Sequence, residues 1–228
     1  MKTRPSMKLL AACVLAVSAF SVAPSAPAQG KPAVSPLQSL LEVFASHEAA
    51  SWSSFDTVPG VRWRDAKPLE NPDANRADEA VYRSGNLLLS GFDTVDVPDG
   101  QVGADAGTRE DNEGDAGLTL NGTASHVRSI ALLKFYPSED YTRILQQQFD
   151  ASATLKPVAG QCALDYGTTA ENTQKNAFYQ ISFGAAAPVY AEAYIDEDGG
   201  NQGPGSTTFI FTLDKPTERI AAMHCKEH

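Results

Sequence analysis

His47-Glu48-Ala49-Ala50-Ser51 begins like the zinc-hydrolase motif, in which two histidines one helical turn apart hold the metal and the glutamate serves as general base. Ser51 stands where the second ligand is needed, so the pattern carries no metal site. The other histidines are His126, at the start of an expected strand, and His224 and His228 near the end of the chain. No GxSxG turn is present to expose a nucleophilic serine. Gly205-Ser206 follows a glycine-rich turn but lacks the lysine of a phosphate loop and joins two strands, which reads as a hairpin.

Calcium loops alternate oxygen ligands around a sharp glycine turn, and Asp196-Glu197-Asp198-Gly199-Gly200-Asn201 has that opening. Thr207 occupies the twelfth position, where a bidentate glutamate would be required. Asp196, Asp198 and Asn201 are therefore candidates for a weak calcium site on what otherwise reads as a solvated hairpin tip. The cluster Asp111-Asn112-Glu113-Gly114-Asp115 is open to the same two readings. A carboxylate pair could hydrolyse glycosides, yet nothing selects one pair from 28 Asp and Glu. Arg62-Trp63-Arg64 could grip an anionic sugar polymer or form a strand with one buried aromatic. Asn121-Gly122-Thr123 is taken as a turn. No motif requires a cofactor.

The elements that would position these residues begin with an export signal. Lys2, Arg4 and Lys8 precede an apolar run from Leu9 to Val22, and Ala26-Pro27-Ala28 offers small residues before Gln29. The run is short of the 20 or so residues that span a bilayer, so residues 1–28 read as a cleaved signal peptide, leaving no membrane anchor, with the periplasm or the exterior as destination. Cys13 comes too early in that run for a lipoprotein signal.

Losing residues 1–28 removes three basic side chains and no acidic one, taking the formal charge from −10 to −13. Such a surface repels nucleic acid and favours cationic partners. Cys162 and Cys225 remain, with one possible intramolecular pairing in an oxidising compartment. Closing a loop of that size is worth roughly 3–4 kcal/mol in the chain-entropy model.

Residues 29–36 read as a flexible leader, followed by a single α+β domain over 37–228. Leu37, Leu40, Leu41 and Phe44 make one face of a helix that Ser35 caps, with Pro36 in its first position. Residues up to 78, interrupted by Pro59, Pro68 and Pro72, allow short strands at most. Val81 to Phe92 is an expected strand. Residues 93–117 carry eight carboxylates against Arg109 alone, among glycines, and read as a mobile acidic loop.

A strand is expected over His126 to Tyr136, then a helix capped by Ser138 with Tyr141, Ile144, Leu145 and Phe149 inward. Four further strands, Ala177 to Phe183, Val189 to Ile195, Thr207 to Leu213 and Arg219 to Cys225, form an antiparallel meander. The expected architecture is one antiparallel sheet covered on one face by helices.

Export, a stapling disulfide, negative charge and missing catalytic motifs point to a non-enzymatic protein-binding module. Its expected role is that of an inhibitor or immunity protein neutralising a cationic, toxic, envelope-directed hydrolase. Asp105, Glu110, Asp111, Glu113 and Asp115 are the expected partner-binding residues. Two alternatives stay open: a secreted hydrolase whose site is dispersed in sequence, and a structural or small-ligand-binding envelope protein.

Overall fold

A computed structural model describes residues 34–46, 50–89, 115–135, 140–165, 173–196 and 206–225. The expected signal peptide and most of the leader lie outside the described residues. Val34–His228 forms one compact unit.

Helix α1 spans Pro36–Ser46. As the sequence implies, Ser35 caps it: its Oγ accepts from the Gln38 amide at 3.1 Å, and that hydroxyl in turn donates to the Gln148 carbonyl. Leu37, Leu40, Leu41 and Phe44 are all buried, together with Ala45. Gln38 is also fully buried, because its amide is satisfied on both sides. Its Nε2 donates to Glu42, Asp150 and Ser152, and its Oε1 accepts from the Asp150 amide at 2.8 Å. One glutamine thus fastens α1 to a turn more than a hundred residues away.

The strands are β1 Val61–Trp63, β2 Leu69–Glu70, β3 Val81–Leu88, β4 Asp115–Gly122, β5 Val127–Phe135, β6 Ala153–Asp165, β7 Thr173–Phe183, β8 Val189–Asp196, β9 Ser206–Thr212 and β10 His224–Cys225. They form one sheet in the order β1-β3-β4-β5-β9-β8-β7-β6-β10, with β2 also on β3. Every neighbouring pair is antiparallel. Two meanders, β3-β4-β5 and β6-β7-β8-β9, meet where β5 pairs with β9. Helix α2 (Tyr141–Gln148) connects them, and α3 (Thr217–Ala221) precedes β10. The fold is α+β, mostly antiparallel sheet with three helices, and no helix among the described residues is long and apolar enough to cross a membrane.

Alternation along the strands sends one set of side chains to a single core. Leu87, Leu118, Leu120, Ile130, Leu132, Phe209, Phe211, Ala191, Ala193 and Ile181 join α1, Ile144 and Leu145 of α2, and Phe55 in it. Tyr141 meets Phe209 edge to face with centroids 6.2 Å apart, and Thr142 Oγ1 lies 2.9 Å from the Tyr179 hydroxyl.

Four expectations change. Asp140, not Ser138, caps α2, accepting from the Arg143 amide at 3.3 Å; its carboxylate also suits the positive helix end. Residues 219–225 are not one strand: Thr217–Ala221 is helical, and only His224 and Cys225 pair, with β6 rather than β9. The acidic segment ends before residue 117, since Asp115 already opens β4 opposite Leu88. Strands β4 and β6 come in addition to the expected set, and β6 is the first member of the C-terminal meander.

Candidate functional site

Strand register decides where the charged segments attach. Leu88 pairs with Asp115, Phe135 with Ser206, Ser206 with Asp196, and Thr173 with Asp165. Those strand ends lie level, because Gly117 opposes Leu133 in the β4–β5 pair and Asn176 opposes Tyr194 in the β7–β8 pair. The connections after β3, β5, β6 and β8 therefore all leave from the same end of the sheet. Setting aside Asp140, the cap of α2, fourteen of the 28 Asp and Glu fall in those four connections or at Asp115, Asp165 and Asp196, with Arg109 the single basic residue among them.

Of the expected partner-binding residues, Asp115 is the first residue of β4, while Asp105, Glu110, Asp111 and Glu113 lie outside the described residues. The calcium candidates divide likewise: Asp196 ends β8, and Asp198 and Asn201 lie outside the described residues. His47 does too. Among the described residues no group of three or more His, Cys, Asp or Glu is arranged to hold a metal ion.

His126 precedes β5, where its Nδ1 lies 2.7 Å from the Ser125 hydroxyl rather than against a carboxylate. The turn expected at Asn121-Gly122-Thr123 falls later: Asn121 and Gly122 end β4 and pair with β5, and the chain reverses between Thr123, whose amide donates to the His126 carbonyl at 2.9 Å, and His126. Gly122 is obligatory there, as a Cβ would sit 2.0 Å from that carbonyl oxygen. A depression of about 340 Å³ separates α1 from residues 57–59, lined by Ser39, Glu42, Val43, Ser46, Val58 and Pro59, with Glu42 as its one titratable group among the described residues.

Two buried charges mark the sheet. Arg83 on β3 is 4% exposed. Its guanidinium stacks on Trp63 at 4.1 Å, pairs with Asp56 at 2.6 Å and donates to the Asp65 and Ala66 carbonyls. The next residue, Ser84, donates its hydroxyl and amide to Asp65, and these bonds hold the Asp65 carboxyl below the usual carboxylate range, with Arg83 and Arg64 assisting. Arg62-Trp63-Arg64 is thus explained on its inner side: Trp63 is a platform for Arg83. Burial lowers the Lys134 ammonium from its ordinary value, and burial raises the Tyr179 hydroxyl.

The opposite face of the sheet carries the residues between those core positions, and at the β6–β8 side it holds a second polar group. Asn176 on β7 donates to Glu192 on β8, and Arg219 of α3 donates to the same Glu192 oxygen from 3.1 Å. Beside them Cys162, Phe178 and Met223 form a small cluster of their own, with Ile220 and Cys225 packed against it. Cys162 and Cys225 are disulfide-bonded, as expected from their number, with sulfurs 2.00 Å apart. Sequence reasoning missed this polar group; its only sequence signal is that Asn176 and Glu192 fall within β-rich segments. No family model, no curated protein and no solved structure matches the chain.

Proposed function

We propose that this protein is an exported, non-catalytic binding module that inhibits a cationic, envelope-directed hydrolase, in the manner of an inhibitor or immunity protein. The observation carrying this reading is the common attachment of the acid-rich connections to one end of a single sheet. In this reading the fourteen carboxylates carried by these connections and their strand ends supply a negative potential that attracts a positive cleft and speeds encounter. Asp105, Glu110, Asp111, Glu113 and Asp115 are the contact residues in this reading. The same reading has α1 and α2 as a layer over the core face, so that the rim is offered by a stiff scaffold, and has residues 1–28 removed on export to the periplasm.

Retention of a cationic hydrolase from periplasmic extract at low salt, lost at high salt and accompanied by inhibition of that hydrolase, is the expected result. A protein that retains no such enzyme at low salt overturns the reading. N-terminal sequencing that returns Gln29 supports export, and recovery of Met1 from periplasmic material contradicts it.

A further inference from the structure

The chain after β9 turns back over the sheet instead of adding another strand beside it. Glu192 lies between Ala191 and Ala193, and Phe178 next to Tyr179, so their side chains leave the sheet on the side away from the main core. Arg219 reaches Glu192 on β8, Ile220 and Met223 pack around Phe178 on β7, and Cys225 ends opposite Cys162 on β6. Residues 213–225 therefore form a strap crossing three strands, and its far end is fixed covalently.

Without the disulfide, little holds that end. Helix α3 has five residues and β10 only two, paired with Ala163 and Cys162. Such short elements do not persist unaided. Leu213, where the strap leaves β9, packs on the main core; beyond it, the strap's apolar contacts among the described residues are those of the Cys162–Phe178–Met223 cluster, whose buried residues are distinct from those of the main core. What it covers is polar as well as apolar: Asn176 and Phe178 are 0% exposed, and Asn176 Oδ1 has no hydrogen-bond partner among the described residues.

We infer that residues 213–225 are a thiol-released latch: reduction of Cys162–Cys225 by a dithiol reductant frees the strap and uncovers Phe178, Asn176 and Glu192, while the main core stays folded. Of the two residues Cys225 is the less buried, being half-buried where Cys162 is 1% exposed. A reductant thiolate attacks Cys225 Sγ, the S–S bond breaks, and its electron pair leaves on Cys162 Sγ, which takes up a proton. The reductant's second thiol attacks the mixed disulfide and releases Cys225 as a thiol. The protein gains two thiols and the reductant becomes a disulfide. This inference does not depend on the partner proposed above.

Hydrogen exchange on the full protein, oxidised and then reduced with dithiothreitol under native conditions, tests it. Amides of residues 218–225 should exchange at least about tenfold faster after reduction, while those of α1 and β5 change little, which is the signature of a local opening. The double variant Cys162→Ser, Cys225→Ser should match the reduced protein. Strap amides that keep their protection after reduction overturn the inference, because non-covalent contacts then suffice. Loss of protection in α1, β5 and strap together also overturns it, because the bond would then staple the whole domain. If the variant does not accumulate, reduction of the already folded protein decides the matter by the same two criteria.

Discussion

The two apolar clusters of this protein are held together by different means. In the larger, Leu40, Leu41 and Phe44 of α1 and Ile144 of α2 join core residues of β3, β4, β5, β7, β8 and β9, with polar ties where Gln38 and Ser35 fasten α1 to the end of α2 and where Thr142 meets Tyr179. In the smaller, among the described residues, a strap of short elements is tied down by a disulfide, the Arg219–Glu192 ion pair and a cluster of a few side chains. Burial of large apolar area is cooperative and tolerates no partial state, whereas a covalent tie over a small cluster can be undone by itself. Stability is thus concentrated in the larger cluster, to which the helices α1 and α2 contribute, and the strap is where the molecule can change shape without unfolding.

The sharpest way to break that contrast is to cut into the larger cluster. Phe44 is fully buried, and Phe44→Ala should cost about 3–5 kcal/mol, read as a lower urea midpoint in a single transition. A cost under about 1 kcal/mol would mean that α1 adds little to the sheet's stability. Phe149→Ala should cost less, about 2 kcal/mol, because the ring is only half-buried at the end of α2, meeting Phe183 edge to face at 6.0 Å. Gln38→Ala comes close behind, at about 1–3 kcal/mol, since it takes from the half-buried Asp150 amide the acceptor that Gln38 now supplies. Equal losses in all three variants would show that burial does not set the order.

These residues also show how far sequence alone reaches. The period of Leu37, Leu40, Leu41 and Phe44 and the Ser35-Pro36 start make α1 readable, because a helix records its buried face and its cap within a dozen residues. Strands β7, β8 and β9 are readable from alternation. Strand β6 is not: Lys156-Pro157 and Gly160 interrupt it, and the pairing absorbs them as register shifts at Pro157/Ala159 and Ala159/Cys162, near a sheet edge where proline costs no ladder bond. In β4 the alternation Ala116, Leu118, Leu120 is present, but acidic and glycine residues upstream hide where it starts. The strap illustrates the harder limit, since Thr217–Ala221 is helical only because its turn sets Ile220 and Met223 on Phe178, a contact between residues about 40 apart. The common rim of the acidic segments is likewise a product of pairing register, which no local pattern encodes.

Titration gives a smaller effect that separates the sheet's two local polar networks. Asp65 is held below the usual carboxylate range chiefly by Ser84, so its contribution is complete above the unfolded carboxyl value near pH 4 and is lost as pH falls through the lower folded value. Asp65→Asn should therefore lower the urea midpoint at pH 7 and approach the parent protein once the pH falls below the lowered folded value of Asp65. The β1–β3 edge would respond, while the Cys162–Cys225 strap should not. A gap between variant and parent that is the same at both pH values would show that Asp65 acts by shape and not by charge.

The smallest stability effect should come from the acidic rim, and it is the one that tests function. Asp105, Glu110, Asp111 and Glu113 all fall in the connection between β3 and β4, whose composition of carboxylates, glycines and few apolar residues cannot bury a core. Asp115 is left in place because it opens β4 opposite Leu88, and changing it would mix strand pairing with charge. Replacing the four by serine removes four of the fourteen carboxylates counted in the acid-rich connections and their strand ends, and the melting temperature should stay within about 3 °C of the parent, because that composition adds no apolar burial to the fold. Association with a cationic hydrolase should slow and its salt dependence flatten, because exposed charges act on encounter across a Debye length and not on the fold. A fall in melting temperature like that of Phe44→Ala would put the connection in the core and erase the contrast between stiff side and free rim. An unchanged melting temperature with an unchanged association rate would leave the scaffold as described and remove the rim from binding, moving the search for the partner's footprint to the strap side of the sheet.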